Sequence, residues 1–158
     1  MEMELHGEDR IFEAFNDWLR KYEFAARVES LELDFGFYQS ENSIAISFTV
    51  SEEADTHWRS WTKSLGFPPE LDVFWTSFLH ELGHSETIYE MDKLTLDECA
   101  LIEIFGTIQE YLEMPREIAA TLWARDFCVQ NPEAVHELVD TVRPHILQFF
   151  ADNDISLE

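Results

Sequence analysis

The run Asp72-Val-Phe-Trp-Thr-Ser-Phe-Leu-His80-Glu81-Leu-Gly-His84 constrains this chain more than any other stretch. Its spacing predicts a helix starting around Pro69–Leu71, with Pro in the first turn and Glu70 and Asp72 set favourably against the dipole. The helix should run to about Tyr89. Residues four apart on a helix share a face, so His80 and His84 can turn both imidazoles toward one metal ion. Glu81 is rotated roughly 100° from His80. From there it can act as general base on a water bound to that ion. Val73, Thr76 and Ser77 are small residues on the ligand side and leave room for an ion. Trp75, Phe78, Leu79 and Leu82 are placed to bury the other side.

A catalytic zinc takes three protein ligands and keeps a water in its fourth position. The His-Glu-x-x-His run resembles that of the gluzincin-like metallopeptidases, which implies a Glu from a following helix as third ligand, and Glu103, Glu110, Glu113 and Glu117 are the candidates. Glu117 suits the role best. It follows Pro115 in the first turn of a helix, and its face carries Ala120, Thr121 and Ala124, small enough for two helices to approach closely. Glu110 and Glu113 lie at the end of a helix whose apolar stripe would have to face elsewhere. Glu90 is the nearest spare carboxylate for a fourth ligand, which would close the centre into a structural one. The expected set is therefore Zn2+ on His80, His84 and Glu117, with Glu81 as base. Tyr89, Tyr111, His57, His136 and His145 can each supply a donor for a developing oxyanion, and nothing in the sequence chooses among them.

The rest of the chain reads as scaffold. Ile11, Phe12, Phe15, Trp18, Leu19 and Tyr22 recur at helical spacing and predict a first helix over 8–26. Residues 31–37 and 43–50 alternate apolar with polar or small residues, which predicts two half-buried strands joined as a hairpin through the polar link 39–42. The second of these has a small, uncharged outer face; it is the expected sheet edge for an extended peptide. A short helix or loop with His57, Trp58 and Trp61 should precede the break at 66–69. Helices are then expected from Thr95 or Asp97, from Pro115 to about Val129, and over 132–151, where Pro144 should kink or split the last. The fold class is α+β: a small antiparallel sheet, the His-Glu-x-x-His helix and a helical C-terminal half, in one domain over 1–158.

Hydrophobic residues make up 46% of the 158 positions and aromatics 14%, enough for an ordinary core and too many for a disordered chain. The net charge of −23 disfavours direct contact with nucleic acid or anionic membranes, whose fields would repel it. It leaves three readings: an ordinary acidic, soluble surface, a preference for basic partners or substrates, or mimicry of a nucleic-acid surface. No basic segment followed by an apolar run opens the sequence, and no apolar run approaches 18 residues. Cys99 and Cys128 form no Cys-x-x-Cys pair and are expected as free buried thiols. A soluble, cytoplasmic protein is expected.

The segment Leu79-His-Glu-Leu-Gly-His84 resembles the zincin metallopeptidases. Uncharged residues flank the motif in that family, as Ser77, Phe78, Leu79, Leu82, Gly83 and Ser85 do here, while Glu86 departs from the usual apolar residue. Thr87 and Glu90 stand where the metzincin-like pattern needs Gly and a His or Asp, so the gluzincin-like branch is the closer one. Glu117-Ile-Ala-Ala-Thr-Leu-Trp-Ala124 is similar to the second motif of small ImmA/IrrE-type metallopeptidases, with Ala119 and Thr121 in place of that pattern's second Glu and Asn. The resemblance spans about 20 of the 158 residues. It implies a compact cytoplasmic peptidase that cleaves a regulatory protein. The competing expectation is an acidic, non-catalytic protein on the same scaffold that sequesters a basic or DNA-binding partner.

Overall fold

The computed structural model describes residues 8–32, 35–38, 41–48, 52–68, 71–87 and 115–153, with the backbone alone at 52–55, 57–58, 61 and 115–116. Along the chain run α1 (Glu8–Lys21), β1 (Arg27–Leu31), β2 (Gly36–Tyr38), β3 (Ser43–Ile46), α2 (Glu52–Leu65), α3 (Val73–Thr87), α4 (Pro115–Gln130) and α5 (Pro132–Asp152). The helix expected from Thr95 or Asp97 lies outside the described residues. So do Cys99, Glu90, Glu103, Glu110 and Glu113.

Helix α1 begins with Glu8 and Asp9 and ends with Arg20 and Lys21, each pair matched to the dipole at its own end. It buries Ile11, Phe15, Trp18 and Leu19. Its end is a Schellman turn: the N–H of Glu23 donates to Arg20 O and that of Phe24 to Leu19 O, with Glu23 in the left-handed region at φ 64°. Helix α2 closes the same way around Gly66 (φ 88°), through Gly66 N–H to Lys63 O and Phe67 N–H to Thr62 O. A left-handed residue is costly for Glu and free for Gly.

The sheet differs from the expected antiparallel one. Its order is β1-β3-β2, with β3 parallel to β1 and antiparallel to β2. The strand expected over 31–37 does not form as one element: β1 covers Arg27–Leu31, of which only Leu31 falls in the expected strand, and β2 starts at Gly36. The hairpin expected between neighbouring strands does form, between β2 and β3, but β3 then inserts beside β1. It is therefore the central strand and no edge. Ser43, Ile44, Ala45 and Ile46 are all buried. The small residues on the second face of β3 serve close packing, which a strand covered on both sides requires.

Helix α3 lies against β2, β3, α2 and, most extensively, α4, while α1 packs on α5 and β1. Ten of its residues, from Val73 to Thr87, are buried, so it has no solvated stripe of the kind a surface helix shows. It begins later than the expected Pro69–Leu71: Asp72 O already accepts from the N–H groups of Trp75 and Thr76. Phe15, Trp18, Phe78 and Phe24 form an aromatic centre linking α1 to α3, with Phe15 and Phe78 at 4.6 Å. The indole of Trp18 donates to Ala134 O at 2.9 Å, tying α1 to the start of α5.

Pro144 does not split α5, which runs unbroken to Asp152. The carbonyl that Pro144 leaves without its helical partner belongs to Asp140, an exposed residue, so water can satisfy it and the usual penalty of an interior proline is reduced. The architecture is α+β, mostly helical, with a small mixed sheet.

Candidate metal centre

Helices α3 and α4 touch at Gly83. A Cβ at that position would sit 2.9 Å from the carbonyl carbon of Ala120 and closer still to its oxygen. The absence of a side chain there sets how near the two backbones come. Ala120 and Ala124 are both fully buried on the facing side of α4. This close approach carries Glu117, in the first turn of α4, to the histidines one turn apart on α3.

The three side chains meet. His80 Nε2 lies 3.1 Å from His84 Nε2 and 3.4 Å from Glu117 Oε1, and His84 Nε2 lies 2.6 Å from Glu117 Oε2. The imidazole rings stand nearly perpendicular, at 86°, with centroids 4.7 Å apart. One potential ligand atom from each residue falls within 4.8 Å of the others, and His80 and Glu117 are buried. The group can hold a metal ion.

Two further observations fit a cation. Burial pushes the Glu117 carboxyl toward its neutral form, yet the adjacent His80 and His84 outweigh that and hold it well below the usual carboxylate range. The carboxylate is thus kept as an anionic ligand in a fully buried position. Its Oε2, moreover, has no hydrogen-bond partner although His84 Nε2 is so near. The contact is close in distance without having hydrogen-bond geometry. A buried carboxylate oxygen without a donor is costly, and a shared cation is the partner that suits three converging lone pairs.

Around this set, His80 Nδ1 and Thr121 Oγ1 are 2.7 Å apart and buried, the outer contact that orients a ligating imidazole. The ring of Phe37 in β2 stacks over His84 at 6.3 Å and 14°. Ser85 Oγ donates to Asn42 Oδ1 at 2.7 Å, fastening the β2–β3 turn to α3 one residue past His84. Glu81 is buried on α3 and is not one of the three gathered groups. Glu86, exposed near the end of α3, has its carboxyl pushed up by desolvation.

Thr121 entered the sequence reading only as a small side chain on the face of Glu117. Its signal was there in the spacing: four residues after Glu117, it rises on the same side of α4. Of the oxyanion candidates, Tyr89 and Tyr111 lie outside the described residues, as does the side chain of His57. His136 lines a groove with Trp75 and Cys128, and His145 one with Arg10 and Lys21, so neither joins the cluster. Cys128 is a free, buried thiol, pushed up to about 12 by desolvation. Among the described residues no helix is long and apolar enough to cross a membrane.

No protein-family model, no curated protein and no solved structure matches this chain.

Proposed function

We propose that the chain is a zinc-dependent peptidase of the zincin type, acting on a protein segment rich in Lys and Arg. The observation that carries this reading is the orphaned Oε2 of Glu117, buried against two imidazoles on a His-Glu-x-x-His helix. Two histidines and one carboxylate are a donor set that suits zinc and leaves a coordination position for water. When bound, zinc supplies a Lewis acid that polarises the scissile carbonyl and acidifies water.

The remaining steps belong to side chains. Glu81 follows His80 directly and is turned roughly 100° from it around α3. It takes the proton of the attacking water and passes it to the leaving amine. An extended substrate pairs with β2, one of the two outer strands of the sheet among the described residues and the one whose Phe37 stacks over His84. The net charge of −23 draws basic segments toward this surface and repels acidic ones.

The test is metal content alongside cleavage. Purified protein should carry about one zinc per chain. Glu81→Gln should keep that zinc and lose the ability to cleave a basic peptide library read by mass spectrometry. A folded protein that takes up no zinc, or Glu81→Gln cleaving as fast as the parent, would sink the reading. Retention of a basic partner without any cleavage would instead mark an acidic binding protein.

A further inference from the structure

Serine and threonine hydroxyls inside helices usually donate to a carbonyl three or four residues back. Thr62, Ser64, Thr76, Thr87 and Thr141 do so here. Thr121 breaks the pattern. It is fully buried in the middle of α4, and its hydroxyl crosses to His80 Nδ1 on α3, 41 residues away in sequence, at 2.7 Å. The other ring nitrogen of His80 faces Glu117 Oε1 at 3.4 Å.

A hydroxyl both donates and accepts, whereas a carboxylate only accepts. With the proton on Nδ1, His80 donates to Thr121 Oγ1 and turns the bare lone pair of Nε2 toward Glu117 and His84, as a metal ligand must. With the proton on Nε2, Thr121 donates to Nδ1, and Nε2–H reaches Glu117 Oε1. Both arrangements keep the 2.7 Å contact, and the ring carries one proton in each. Resting on the zinc-centre reading above, we propose that Thr121 is a positioning residue whose two-way hydroxyl lets His80 change tautomer between zinc-free and zinc-loaded protein. Zinc can then enter and leave a folded site without stranding a buried donor or acceptor. A carboxylate at position 121 would favour the ligating tautomer alone.

The experiment uses the full-length protein, zinc-free and zinc-loaded, at mildly alkaline pH. Long-range proton–nitrogen NMR of the His80 ring should read Nε2–H without zinc and Nδ1–H with it. Chelator competition should show Thr121→Val weakening zinc binding by about 10–100-fold with unchanged circular dichroism, while Thr121→Ser restores affinity and both tautomers. His80 in the same protonation form in both states overturns the proposal, and so does Thr121→Val binding zinc within about twofold of the parent. Should Thr121→Val fail to fold, the parent's tautomers decide. A parent protein that binds no zinc overturns the metal centre itself, a result distinct from zinc uptake without a tautomer change.

Discussion

Glu117 is the residue on which the site turns, since its carboxylate is fully buried and still held ionised by His80 and His84. Its folded-state value lies below the ordinary 4.5. The stability it contributes to zinc-free protein is therefore complete above that value and is lost as pH falls below it toward the folded value. Urea unfolding of zinc-free protein at a series of pH values should show the advantage of the parent over Glu117→Gln shrinking as the solution is acidified below about 4.5. A constant difference across the series would mean that the ion pair contributes nothing. The histidines were legible in the sequence because both side chains sit on one helix, where a fixed period sets their mutual position. Glu117 needed a choice among four carboxylates. Small neighbours tipped that choice because close helix contact demands them. Spacing placed Thr121 on the face of Glu117, but that its hydroxyl meets His80 Nδ1 depends on how α4 docks on α3, which no local period encodes.

At the scale of elements, the contact of α3 with α4 is set by Gly83. Gly83→Ala should place its methyl against the Ala120 carbonyl and force the helices apart. Overpacking of this kind costs about 1–3 kcal/mol, to be measured by urea unfolding of zinc-free protein. It should also weaken zinc binding, because Glu117 moves away with α4. Unchanged stability and affinity would mean that the helices have slack at this point. Helices α4 and α5 were readable within a residue or so, since apolar spacing and the prolines at 115 and 132 mark them in the sequence itself, whereas α1 ends at Lys21, short of the expected 26. The sheet was not readable in this way. Alternation reports which face of a strand is buried but is silent about its partner, so the parallel pairing of β3 with β1 and its central place could not be read from 43–50. Pro144 leaves α5 unsplit for a related reason: the cost of an interior proline depends on whether water reaches the carbonyl it frees.

For the whole molecule, the apolar core is built from side chains other than the three gathered ones, Phe15, Phe78, Leu138 and Phe149 among them. Chelation should thus leave a folded protein with lower thermal stability. Free zinc at about 1,000 times its dissociation constant contributes about 4 kcal/mol, or roughly 10 °C in Tm for a chain of this size. Calorimetry with and without chelator, with far-UV circular dichroism as the control for fold, checks this. Loss of the helical signal on chelation would show that the ion holds the fold together. The indole of Trp18 reaches Ala134, 116 residues further along the chain. During synthesis at about 5–20 residues per second, α1 must wait on the order of ten seconds for that carbonyl to be made. For that interval Trp18 has Phe24 and then Phe78 to pack against but lacks the carbonyl its indole binds, and the His80–His84 pair still waits for Glu117.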